Sequence, residues 1–108
     1  PEYVYLCVDT AHTTLAGMRA PSFVRQYGKR IGYMHLKDVD PDTSLNPEWP
    51  MRRFRPLGYG CVDFKGVYEE LKRAGYEGIL CVELDYQPVC NYRSAQISRE
   101  YLHNVLSL

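Results

Sequence analysis

The sequence predicts a parallel α/β fold, and three observations carry that prediction. Three short apolar runs, Tyr3 to Val8, Ile31 to Leu36 and Ile79 to Leu84, have the length and composition of strands. Helical patterns follow each of them, so the helices can act as crossovers between strands that run the same way. Each run also ends at a side chain able to bind a metal: Asp9, His35 and Glu83.

The first helix opens at Pro21, whose fixed φ and missing N–H suit the first helical position. Phe23, Val24 and Tyr27 then share a face, and Gly28 is the expected left-handed cap. The second helix starts from Asp63 as N-cap, places Val67, Tyr68 and Leu71 on one side, and stops at Gly75. The third covers roughly Arg93 to Leu106, with Ile97, Tyr101, Val105 and Leu106 at helical spacing. The connection from Asp38 to Val62 has little periodicity, four prolines (Pro41, Pro47, Pro50, Pro56) and the only tryptophan, Trp49. Leaving the C-terminal edge of a parallel sheet, such a long loop reads either as a lid over a site or as a disordered segment.

Composition narrows the function. The chain has 108 residues, enough for a single small domain spanning 1–108. Its thirteen basic and thirteen acidic residues cancel, which argues against a nucleic-acid or acidic-membrane partner. No run approaches the roughly 20 apolar residues of a membrane span, and the first ten residues lack the basic start of a signal peptide. Cys7, Cys61, Cys81 and Cys90 form no C-x-x-C pair, so reduced thiols and a cytoplasmic location are expected. The chain begins at Pro1 rather than Met, so the expectation is that its true N-terminus lies upstream.

Side chains alternate along a strand. Asp9 therefore shares a face with Tyr5 and Cys7, His35 with Tyr33, and Glu83 with Cys81. Leu6, Val8, Met34, Leu36, Leu80 and Val82 occupy the opposite faces and suit packing against helices. Two carboxylates and an imidazole form a mixed oxygen and nitrogen donor set, suited to Mn²⁺, Co²⁺, Mg²⁺ or Zn²⁺ as a bound divalent ion. Such an ion polarises a carbonyl or hydroxyl and acidifies the adjacent C–H, leaving a carboxylate to move the proton. Each residue also has a plainer reading: Asp9 as a turn or helix cap, His35 as a hydrogen-bonded core residue. Glu83 resists one, because buried Glu is rare unless paired or coordinated. Arg52, Arg53 and Arg55 read either as solvated charge or as holders of a substrate phosphate or carboxylate. His103, late in the last helix, suits the helix dipole.

The segments LCVDTAH, IGYMHLKDVDP, FRPLGYGCVDF, ILCVELD and SAQISREYL together resemble the xylose-isomerase-like barrel superfamily. Within it they are most similar to the sugar-phosphate isomerase/epimerase group that includes inosose dehydratases. The resemblance covers essentially the whole chain. It implies a (β/α)₈ barrel of which this chain holds the C-terminal three βα units, with one metal held by a Glu, an Asp, a His and a second Glu. Asp9, His35 and Glu83 match the last three ligands, and the first Glu belongs to a strand preceding Pro1. The resemblance further implies His12 as a substrate contact three residues after the Asp, Arg55 near a substrate-contacting Arg, and Glu83 as one of the acid/base pair; Lys37, two residues after His35, is a further candidate substrate contact. A complete barrel takes about 250 residues, so an upstream barrel portion or another chain is expected to complete the site.

The function this implies is metal-dependent isomerisation or epimerisation of a sugar or polyol by proton transfer next to a carbonyl. An inosose-dehydratase-type lyase is the alternative, and a non-catalytic binding module derived from a barrel is the second. The related DNA-repair nucleases carry an Asp-x-His where this chain has Arg53-Phe54-Arg55, and no His occurs between positions 36 and 102.

Overall fold

The computed structural model describes residues 3–42, 44–45, 48–86 and 90–108. Pro47, one of the four prolines of the long connection, lies outside the described residues. Strands β1 (Leu6–Asp9), β2 (Ile31–Leu36) and β5 (Ile79–Val82) form a parallel sheet in the order β1-β2-β5. The register pairs Asp9 with His35 and His35 with Cys81. Glu83 follows just beyond β5, and its N–H donates to the Leu36 carbonyl at 3.2 Å. Helices α1 (Thr10–Leu15), α2 (Ala20–Tyr27), α3 (Phe64–Ala74) and α4 (Asn91–Tyr101) complete the parallel α/β architecture.

The aliphatic face of the sheet is the buried one, as alternation requires. Val8, Met34 and Leu36 pack with Val24 of α2, with Phe64, Val67 and Leu71 of α3, and with Leu57 and Leu106. Burying each such side chain contributes about 1.5–3 kcal/mol. The other face carries Cys7, Tyr33, Cys81 and the three candidate ligands, all only partly covered or exposed.

The helix signals hold in α3. The Asp63 carboxylate accepts the Gly66 N–H at 2.9 Å, and Gly75 ends the helix at φ 68°. Strand β5 ends at Val82 rather than Leu84, and three further elements differ from the sequence reading. Strand β1 starts at Leu6 rather than Tyr3, because its pairing with β2 begins at Leu6 opposite Ile31. Gly28 is not a left-handed cap: its φ is −51° and the chain continues into a 3₁₀ turn over Gly28–Arg30. Glycine is needed there for another reason, since a Cβ would stand 2.6 Å from that of Ala74 where α2 crosses α3. The last helix departs from the regular pattern too, ending in a π turn over Leu102–Leu106.

Two elements escape the periodicity. Helix α1 begins directly after β1, with Asp9 as its N-cap. Thr10, Thr13 and Thr14 are weak helix formers, which hides it. Thr13 and Thr14 hydroxyls donate back to the carbonyls of Asp9 and Thr10, four residues earlier. The long connection holds a short antiparallel ribbon of β3 (Asp38–Val39) and β4 (Phe54–Arg55). Phe54 and Val39 are buried in a second cluster with Ala11. The buried Asp38 carboxylate organises the backbone around the ribbon, accepting N–H groups from Val39, Gly58, Gly60 and Val62 at 2.9–3.0 Å. Burial raises its pKa even so, against the pull of those four donors. Trp49, the candidate lid residue, is exposed.

Candidate metal centre

Parallel pairing brings Asp9, His35 and Glu83 to the same edge of the sheet. One ligand atom from each lies within 4.8 Å of the others. Asp9 serves two ends at once. One of its carboxylate oxygens accepts the His12 N–H at 2.9 Å, capping α1. The other lies 3.0 Å from the Lys37 ammonium. The plain reading of Asp9 as a cap is therefore correct, and it leaves the carboxylate aimed at the cluster.

Glu83 Oε2 meets both His35 Nδ1 and, at 2.8 Å, the Lys37 ammonium. Among the described residues no hydrogen bond falls on Glu83 Oε1. Lys37 and then His35 hold the Glu83 carboxyl below the usual carboxylate range, so it is ionised at neutral pH. Tyr33 packs edge-on against the His35 ring at 5.2 Å.

Lys37 does not stand where a substrate contact is expected. Its side chain is 2% exposed, and its Nζ lies 2.6 Å from Asp85, 2.8 Å from Glu83 and 3.0 Å from Asp9. An ammonium has three N–H donors, so none is left for a substrate. Burial pulls its pKa down, but the hydrogen bonds to Asp85, Glu83 and Asp9 outweigh that and raise it overall.

Arg55 is also occupied elsewhere. Its guanidinium donates to the carbonyls of Arg52 and Phe54 and pairs with Asp40 at 3.2 Å, bracing the ribbon. His12 does stand beside the cluster. Its ring is half exposed, packs edge-on against Phe54 at 5.3 Å, and has Nε2 3.8 Å from Asp85.

Three residues of the site were not singled out from the sequence. Asp85 follows Glu83 by two residues, and the period-2 alternation was the available signal. Phe54 seats both His12 and, 4.8 Å from its centroid, the Lys37 ammonium. The buried Thr10 hydroxyl bonds the backbone of Lys37. Neither of the last two carries a sequence signal, because both depend on which strands become neighbours.

The donors fit a divalent ion. Three carboxylates face one ammonium, so with a neutral His35 the cluster carries two uncompensated negative charges. The oxygen and nitrogen donors, with no thiolate among them, suit Mn²⁺, Co²⁺, Mg²⁺ or Zn²⁺. Cys7, Cys61, Cys81 and Cys90 are free thiols outside the set.

Comparison with known proteins agrees with this architecture. Residues 1–103 match the family model described as the xylose isomerase-like TIM barrel. An inosose dehydratase of Geobacillus kaustophilus is 29% identical over 98% of this chain and 38% of its own length. One of Clostridium tetani is 34% identical over 82% of this chain and 33% of its own. The solved structure of an L-ribulose 3-epimerase superposes with a TM-score of 0.59 at 19% identity, over 92% of this chain and 29% of that one. The chain thus spans between a third and two fifths of the length of these curated relatives.

Proposed function

The chain belongs to the xylose isomerase-like TIM-barrel family, and from that premise we propose that residues 1–108 form a single unit supplying most of the metal-holding site of an isomerase or epimerase acting on a sugar or polyol. The observation that carries the reading is the convergence of Asp9, His35 and Glu83 from three neighbouring strands. These three would hold the divalent ion, which supplies Lewis-acid polarisation of a substrate oxygen and acidifies the neighbouring C–H.

The chain's own residues account for the rest. Glu83, kept ionised by Lys37 and His35, is the base that takes the proton from the carbon beside the carbonyl. Return of a proton to the neighbouring carbon yields the isomer, and delivery of one to the opposite face by a second acid, supplied with the completed site, yields the epimer. His12, exposed at the rim and steered by Asp85 and Phe54, contacts a substrate hydroxyl. Completion of the site by further barrel strands belongs to the same reading. The relatives' partial overlap supports it, since only about a third to two fifths of each is matched.

A second reading is favoured by one observation: the sequence relatives at 29–34% identity are inosose dehydratases. The same abstraction by Glu83, followed by loss of a β-hydroxyl, gives dehydration instead of epimerisation.

The test is solvent exchange in D₂O with ketoses and an inosose as probes, in the full chain loaded with Mn²⁺. Deuterium should enter beside the carbonyl, and Glu83→Gln should abolish this while leaving the circular dichroism spectrum unchanged. Exchange within a few fold of wild type in that variant removes Glu83 from the role of base. Absence of Mn²⁺ binding by calorimetry in the intact protein, with the strands that complete the barrel, rejects the metalloenzyme reading and leaves a non-catalytic module.

A further inference from the structure

Lys37 is, with Asp38, the most deeply buried charged residue among the described residues, at 1% exposure, and the proposed reaction has no chemical step for it. A buried ammonium is costly unless every donor is paired, and here each of three N–H groups faces a different carboxylate. Those carboxylates come from different elements. Asp9 ends β1, while Glu83 and Asp85 follow β5, and Lys37 itself follows β2 between them. The ammonium therefore ties the two outer strands of the sheet together across the middle one.

The lysine is itself held at both ends. Its N–H and carbonyl are both bonded by the Thr10 hydroxyl, at 2.9 and 2.6 Å. Its ammonium rests 4.8 Å from the centroid of the buried Phe54 ring. Asp85, absent from the cluster of candidate ligands, takes the shortest of the three contacts at 2.6 Å.

We infer that Lys37, anchored by Asp85, is a positioning residue that sets the spacing of the Asp9 and Glu83 carboxylates for a divalent ion. The inference rests on the metal-site reading of Asp9, His35 and Glu83. Without the ammonium, three carboxylates share one small region, repel one another and separate. Lys37 occupies Asp9 Oδ2 and Glu83 Oε2, so it fixes both carboxylates, while among the described residues Glu83 Oε1 takes no hydrogen bond. A lysine that merely competed with the metal as a rival cation would have the opposite effect on affinity, which makes the two roles separable by sign.

The experiment measures Mn²⁺ dissociation constants by calorimetry, and the electron paramagnetic resonance spectrum of bound Mn²⁺, for the full chain and its Lys37→Met and Lys37→Gln variants. Lys37→Met is expected to weaken binding roughly 10- to 100-fold, the range for loss of an outer partner of metal ligands, and to broaden the bound Mn²⁺ signal. Lys37→Gln, which keeps N–H donors without the charge, should fall between, and it is the variant to read if Lys37→Met does not fold. A purely structural role would lower thermal stability and leave the spectrum and affinity of the folded fraction unchanged. Unchanged or tighter Mn²⁺ binding in the folded variants overturns the inference and leaves the metal site standing. No Mn²⁺ uptake by the wild type overturns both.

Discussion

The Thr10 hydroxyl stitches the start of α1 to the end of β2 by bonding both backbone groups of Lys37: it donates to the carbonyl at 2.6 Å and accepts the N–H at 2.9 Å. Thr10 is fully buried, and Lys37 leaves the end of β2 at this point. One side chain therefore satisfies two buried backbone groups that the sheet ladder does not.

Thr10→Val preserves shape and removes both hydrogen bonds. Leaving the Lys37 N–H and carbonyl unpaired should cost about 2–6 kcal/mol, at 1–3 kcal/mol for each buried unsatisfied group. Thr10→Ser, which keeps the hydroxyl, should lose much less. Urea unfolding of the two variants checks this, and equal midpoints would show that the hydroxyl contributes no more than its methyl group.

Gly58 has φ 87°, and a Cβ there would stand 2.4–2.6 Å from the Tyr101 ring. Gly17 has φ 82° but open space where its Cβ would go. Both lose about 1 kcal/mol or somewhat more on mutation to Ala from backbone strain alone. Gly58→Ala adds overpacking of roughly 1–3 kcal/mol against Tyr101, itself packed on Phe64 at 5.7 Å. Chemical denaturation should therefore rank Gly58→Ala as the more damaging, and equal losses would mean that the ring yields freely.

Glu70, buried on α3, accepts from Arg25 at 2.8 and 3.1 Å and from Arg73 at 2.9 Å. Arg25 and then Arg73 hold its carboxyl below the usual range. The unfolded chain then binds the proton more readily than the folded one. The pair's stabilisation is full above about pH 4.3, the ordinary Glu value, and fades as pH falls through the depressed folded value. Thermal melts of wild type and Glu70→Gln should converge on acidification from pH 6 to pH 3. A stability difference that stays constant over that interval would rule out the charged pairing as its source.

The sheet and its polarity were legible because β-strand alternation is a local property. Val8, Met34 and Leu36 on one side, with Asp9 and His35 on the other, follow from period two alone. Asp63 and Gly75 marked α3 for the same kind of reason, since caps act over three or four residues. Gly28 shows the limit of such marks. Its composition suits a cap, yet what it satisfies is a close approach to Ala74, 46 positions away in sequence.

Residue type and alternation by themselves determined the α/β class, the face that packs on helices, and the three donors that share an edge. Tertiary structure alone decided what surrounds those donors. It buried Lys37 among three carboxylates, turned Arg55 into a brace for the ribbon, and brought Phe54 from the long connection beneath His12. The reason is physical. A charged side chain at the end of a strand takes up whichever counter-charge its neighbouring strands present, and that depends on which strands become neighbours and in what register. Neither quantity is contained in any one segment of the chain.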